Sequence, residues 1–103
     1  IYRLKRKSDF DKLFSKGKKG FSKSLTMLYF PSNEFKIGYS VSKKHGNAVK
    51  RNKIKRLLRA SARVAFSDLK KNYRIVILPK VREDYSFDTF VADLNYLKKK
   101  ENL

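Results

Sequence analysis

The stretch from Ser40 to Arg63, SVSKKHGNAVKRNKIKRLLRASAR, constrains this chain more than any other, because it passes without a break from a strand-like end through a Gly46-Asn47 corner into an amphipathic helix. At roughly 100° per residue, Ile54, Leu57, Leu58, Ser61, Ala62, Ala65, Phe66 and Leu69 fall on one side. This is the i, i+3, i+4, i+7 stripe of a helix that must bury that face. Asn52, Lys55, Arg56, Arg59 and Arg63 share the other side. Such a helix can pack on a sheet while presenting fixed positive charge to a polyanion.

The rest of the composition agrees. Lys and Arg number 27 against 9 Asp and Glu, a formal net charge of +18. Repulsion of that size works against the compact state, so a polyanionic partner is expected. Nucleic acid fits best, because phosphate neutralisation with counterion release uses such an excess. A membrane surface fits poorly: the basic residues are dispersed through a foldable sequence, and no polybasic tail adjoins an apolar anchor. The longest apolar runs, Leu25 to Phe30 and Ile75 to Leu78, are too short to span a bilayer, and no stretch reads as a signal peptide. Ile1 in place of a methionine points to a short N-terminal piece upstream. The 103 residues suffice for one domain, residues 1–103, with a single core. Cysteine is absent, which removes disulfides, thiolate metal sites and redox chemistry and suits a reducing cytoplasm.

Along the chain, Ser8 is placed to cap a first helix with Asp9 and Asp11 in its first turn, and Gly17 stands where a left-handed C′ residue would. Phe10, Leu13 and Phe14 share one side of that helix. The two rings fit either plain core or an exposed stacking surface. A polar stretch from Lys18 to Lys23 bends at Gly20. Leu25 to Phe30 reads as a strand with Leu25, Met27 and Tyr29 on one face. After a Pro31 to Glu34 turn, Phe35, Ile37, Tyr39 and Val41 alternate with polar residues, predicting a second strand in a hairpin with the first. Gly46 permits positive φ and Asn47 can cap the long helix, which should run to about Asp68 or Leu69. Lys43, Lys44, Lys50 and Arg51 surround that helix start, favouring an anion there. Tyr73 to Leu78 reads as an interior strand, and Ser86 caps a last helix with Phe87, Phe90, Val91, Leu94 and Leu97 inward.

A catalytic reading finds little to work with. His45 is the only histidine and reads as a partly exposed turn residue beside two lysines. The carboxylates are accounted for by helix capping or sit as neighbours in turns, so neither a general acid/base pair nor a protein-borne metal cluster stands out. Binding is the expected role. Fourteen aromatics interleave with the cations, and exposed rings can stack on unpaired bases; Phe10, Phe14, Tyr29 and Tyr39 are the candidates.

The segment KKHGNAVKRNKIKRLLR closely resembles the signature of the protein subunit of bacterial ribonuclease P, in which an Arg-Asn-Arg-type motif opens the long helix. RLKRKSDFDKLFSKG, the strand ending in LYF, GYSVSKKHGNAV and the late YRIVILPK before a Ser-capped helix follow in the family's order, covering nearly the whole chain. The resemblance implies an α+β, two-layer α/β sandwich: a helix, a mostly antiparallel four-stranded sheet with a short extra strand near Phe21 to Ser24, the long basic helix in a left-handed crossover, the last strand and a final helix. It implies a cytoplasmic, monomeric subunit in a 1:1 ribonucleoprotein with a catalytic RNA, removing the 5′ leader of precursor tRNA. Mg²⁺ held mainly by the RNA would conduct the hydrolysis, with no catalytic residue and no metal site in this chain alone. The catalytic RNA would meet Lys43, Lys44, Asn47, Lys50, Arg51, Asn52, Lys53, Lys55, Arg56 and Arg59. Lys53 stands where the family often has arginine, keeping the charge and losing the bidentate fork. Phe10, Phe14, Tyr29, Ser40, Lys55 and Arg59 would line a cleft for the single-stranded leader. His45 replaces a commonly aliphatic residue. A ribosomal-type or chaperone RNA-binding protein with no part in cleavage is the alternative.

Overall fold

The computed structural model describes the backbone of residues 2–3 and 7–103, and side chains from Asp11 onward. In chain order these form β1 (Tyr2–Arg3), α1 (Lys7–Lys16), β2 (Lys18–Phe21), β3 (Leu25–Pro31), β4 (Lys36–Tyr39), a 3-10 turn (Lys43–His45), α2 (Ala48–Ala65), β5 (Tyr73–Pro79) and α3 (Phe87–Lys100). Four principal strands, with the two-residue β1 added at one edge, make a mixed sheet in the order β1-β4-β5-β3-β2.

The apolar segment Tyr73–Pro79 takes the centre, as its nearly continuous hydrophobicity predicts. β3 runs antiparallel to it from Leu25↔Pro79 to Pro31↔Tyr73, and β4 runs parallel to it from Lys36↔Arg74 to Tyr39↔Ile77. The expected hairpin between β3 and β4 is therefore not formed. Their opposite directions are as anticipated, but β5 lies between them. A strand buried on both faces completes its backbone hydrogen bonds only with a neighbour on each side. The Ser32 to Phe35 connection is long enough to step over one strand, about 10 Å across two spacings. It is tied to the start of β5 by Ser32 N–H donating to the Asn72 carbonyl at 3.0 Å and Asn72 Nδ2 donating to the Asn33 carbonyl at 3.1 Å.

Three further boundaries differ from expectation. The extra strand is Lys18–Phe21, paired antiparallel with β3, rather than Phe21 to Ser24. α2 stops at Ala65, short of Asp68, where Lys98 Nζ donates to the Ala65 carbonyl at 2.7 Å and to Asp68 Oδ1 at 2.6 Å. A cation from α3 thus takes over the last helical acceptors. α1 begins at Lys7, so Ser8 lies inside it rather than at its cap; the side chains of Ser8, Asp9 and Phe10 fall outside the described residues. Gly17 does not adopt positive φ, which among the described glycines occurs only at Gly46. What Gly17 supplies is room, since a Cβ there would stand 2.5 Å from the Leu13 carbonyl that its own N–H bonds at 2.9 Å.

The sheet is covered unequally. Leu25, Met27, Tyr29, Ile37, Tyr73, Ile75 and Ile77 face Ile54, Leu58, Ala62, Ala65 and Phe66 of α2 and its C-cap, and Phe90, Leu94 and Leu97 of α3. These form the main core and the two-layer body. The alternate residues point the other way, where α1 contributes one fully buried anchor, Leu13, against Leu28 and Val76, with Phe30 and Leu78 partly buried beside them. A ten-residue helix cannot cover a whole sheet face, so among the described residues this side is covered only in part.

Candidate nucleic-acid interface

The half-open face is built by strand alternation. On β3 it carries Leu28 and Phe30, on β5 Arg74, Val76 and Leu78, and on β4 Lys36 and, just beyond the strand, Ser40. Register sets Phe30, Arg74 and Lys36 in one row across the sheet. Lys12 of α1 holds its ammonium 5.4 Å from the centre of the Phe30 ring, and Lys36 Nζ lies 3.5 Å from Glu34 Oε2. On α1, Leu13 turns inward and Phe14 is left at the rim, 46% exposed. Exposed or half-buried rings thus alternate with cations over a floor of aliphatic side chains.

Of the residues expected to hold a leader, Phe14 and Ser40 belong to this face, while the Phe10 side chain lies outside the described residues. Tyr29 does not belong. It points to the α2/α3 side, is only 5% exposed, stacks edge-on to Tyr73 with centroids 6.1 Å apart, and donates its hydroxyl to Glu101 Oε1 at 2.8 Å. One residue along a strand reverses the face, and the ring on the α1 side is Phe30. Burial, with the hydrogen bond to Glu101 and that carboxylate's charge adding to it, pushes the Tyr29 phenol up to about 12. Lys55 and Arg59 sit on α2, behind the sheet. Their flank is opposite the one that Lys50, Lys53 and Leu57 turn to Glu83–Tyr85, so they do not floor the α1 face. The expectation also missed Arg74, Lys36, Lys12 and Phe30. The signal for Arg74 lies in YRIVILP itself, where it alternates with Val76 and Leu78 on one side.

The cations around the start of α2 cluster as expected, but they wrap the helix rather than form one stripe. Gly46, at φ 125°, turns the chain, and Asn47 Oδ1 caps α2 by accepting from Lys50 N–H at 2.9 Å. Lys43 and Lys44 occupy the 3-10 turn before it. Arg51, Lys55 and Arg59 follow one another at i+4 intervals on one half-buried flank, where the Nε atoms of Arg51 and Arg59 are shielded and have no hydrogen-bond partner. Asn52 and Arg56 face outward. Lys50 and Lys53 line a groove of about 360 Å³ on the opposite flank, with Glu83, Asp84 and Tyr85 across it. None of these cations makes an ion pair among the described residues.

The corner itself is held by His45, which is buried at 7% exposure rather than partly exposed. Its Nε2 lies 2.6 Å from the Pro79 carbonyl and its Nδ1 3.1 Å from Ser42 N–H. The Pro79 carbonyl can only accept, so Nε2 donates to it, while Nδ1 sits among the Ser42 N–H, hydroxyl and carbonyl at 3.1, 3.3 and 3.2 Å. An imidazole thereby ties the start of α2 to the end of the central strand. Among the described residues, no three His, Asp or Glu side chains converge as metal ligands. Nor is any described helix long and apolar enough to cross a membrane.

Together these features define a strongly basic α+β protein that presents rings and cations on a half-covered sheet and at the start of one long helix. The family described as Ribonuclease P matches residues 1–102, and the chain belongs to it: it is a member of the ribonuclease P protein component family, whose holoenzyme is an endoribonuclease of tRNA processing. The ribonuclease P protein component of Finegoldia magna is 34% identical, over 95% of this chain and 88% of the relative. The solved Staphylococcus aureus RNase P protein superposes with a TM-score of 0.84 at 28% identity, covering 98% of this chain and 95% of that one. The Thermotoga maritima RNase P protein gives 0.83 at 29% identity, covering 96% and 97%.

Proposed function

We propose that the chain binds the catalytic RNA of ribonuclease P through the start of α2 and holds the 5′ leader of precursor tRNA on the α1 face of its sheet. The observation that carries this is the pairing of an accessible ring, Phe14, with the Phe30–Arg74–Lys36 row on a sheet face left half uncovered. Rings stack on unpaired bases of any sequence, and the cations hold the backbone that links them. Leader binding is accordingly sequence-tolerant.

Lys43, Lys44, Lys50, Arg51, Asn52, Lys53, Lys55, Arg56 and Arg59 supply phosphate contacts around a helix N-terminus whose dipole has the same sign. Among the described residues no three carboxylates or histidines converge as Mg²⁺ ligands, and Glu83 and Asp84 share their groove with Lys50 and Lys53, which favours a metal held elsewhere. The hydrolysis and its Mg²⁺ belong to the RNA, and this chain binds and orients. It acts as a cytoplasmic monomer in a 1:1 complex.

One assay tests the whole reading. The purified chain with Mg²⁺ and precursor tRNA should cut only when the catalytic RNA is present, and the chain should lower the RNA's requirement for Mg²⁺. Cutting by the protein alone would make it a nuclease, and an RNA-only rate indifferent to the protein would make it a general RNA-binding protein.

A further inference from the structure

At the β2 edge of the sheet, a groove of about 610 Å³ opens where the β2–β3 turn meets the outer side of α3. It is lined by Phe21, Ser22, Lys23, Lys80, Asp93 and Tyr96. Phe21 is 54% exposed and Tyr96 53% exposed, leaving two large rings accessible at one groove.

The site is rigid. The turn is closed by Ser22 N–H donating to the Leu25 carbonyl at 2.9 Å and Leu25 N–H to Ser22 Oγ at 3.1 Å. Lys80 is pinned across it, its N–H donating to the Ser24 carbonyl at 2.8 Å and its Nζ to the Ser22 carbonyl at 2.7 Å. Asp93 Oδ2 accepts from Ser24 N–H at 3.0 Å and from Ser24 Oγ, anchoring α3 to the turn. Lys100 lies 5.7 Å from the centre of the Tyr96 ring and adds charge to the rim.

Charge orders the occupant. The Asp93 carboxylate repels phosphate from the groove and accepts from the exocyclic amine of a base, while Lys23 and Lys80 attract phosphates at the edges. We infer that this groove is a second single-stranded RNA site, which stacks one unpaired base bearing an exocyclic amine (adenine, cytosine or guanine, not uracil) against Phe21 and Tyr96 with the flanking phosphates on Lys23 and Lys80. This rests on the RNA-binding reading above and adds a surface at the β2 edge of the sheet, where Phe21, paired with Thr26, meets Tyr96 of α3.

The test is an amide NMR titration of the full chain with the tetranucleotides r(A)4 and r(U)4, for wild type and for Tyr96→Ala and Phe21→Ala, both at exposed positions. Expected are saturable shifts at residues 21–24, 80 and 96 with r(A)4, weakened roughly tenfold by either substitution. Amides of the α1 face should respond as in wild type. Binding of r(U)4 at the groove should be roughly tenfold weaker than r(A)4. Shifts confined to the α1 face would overturn this site and leave the RNA-binding reading standing. No shifts anywhere would overturn that reading itself. Groove shifts equal for both tetranucleotides, or unmoved by the substitutions, would reduce the groove to diffuse charge and overturn the assignment.

Discussion

The hydroxyl of Tyr29 donates to Glu101 Oε1 at 2.8 Å, joining the middle of β3 to the last turn of α3 on the covered side of the sheet. With its phenol pushed up to about 12 from an ordinary 10.0, this tyrosine should give a late ionisation step in an absorbance titration of the phenolate band. The native state keeps the proton that the unfolded chain loses near pH 10, so the bond's contribution is whole below pH 10 and is lost as pH rises through about 12. Tyr29→Phe should remove the late titration and lower stability by about 1 kcal/mol at pH 7. A titration unchanged by the substitution would show that the late tyrosine is another.

The same placement separates Tyr29 from leader binding. Phe14→Ala should weaken precursor tRNA binding by about 1–3 kcal/mol with little effect on mature tRNA, because one stacked base is lost. Tyr29→Phe should leave both affinities as they are. Equal losses for precursor and mature tRNA on Phe14→Ala would move the leader elsewhere.

His45 offers a stability test. His45→Leu fills similar space but leaves the Pro79 carbonyl and Ser42 N–H without their side-chain partner, which should cost about 1–3 kcal/mol in urea unfolding. A leucine variant as stable as wild type would mean that water replaces both bonds.

Arg51 tests the helix start. Arg51→Ala should weaken association with the catalytic RNA and reduce the slope of log K against log salt by about one for a single lost phosphate contact. An unchanged slope would mark Arg51 as solvated surface.

Finally, a net charge of +18 with most cations unpaired among the described residues should make the fold responsive to anions. Sulfate at one hundred times its dissociation constant should add about 2.7 kcal/mol of stability through native-state binding. A melting temperature indifferent to sulfate, compared with chloride at equal ionic strength, would remove the premise that repulsion limits this fold.

Much of the fold was legible in local chemistry. The Gly46 turn, the Asn47 cap, the buried stripe Ile54, Leu58, Ala62 and Ala65, the Ser86 cap and the apolar centre at Tyr73–Pro79 each depend on a few neighbouring residues, and all are present. The cations crowding the start of α2 follow directly from the order of residues in the sequence. Partner choice between strands does not, because alternation says which residues share a face and not which strand lies alongside. Only the assembled sheet put β5 between β3 and β4, and thereby brought Arg74 into line with Phe30 and Lys36. Likewise, alternation grouped Leu25, Met27 and Tyr29, but the packing of α2 and α3 decided that their face is the buried one, leaving Leu28, Phe30 and Phe14 to the open side. The sequence by itself determined the helices, their caps and the charge; long-range packing decided which rings remain available to RNA, since burial is a property of the whole and not of any one strand.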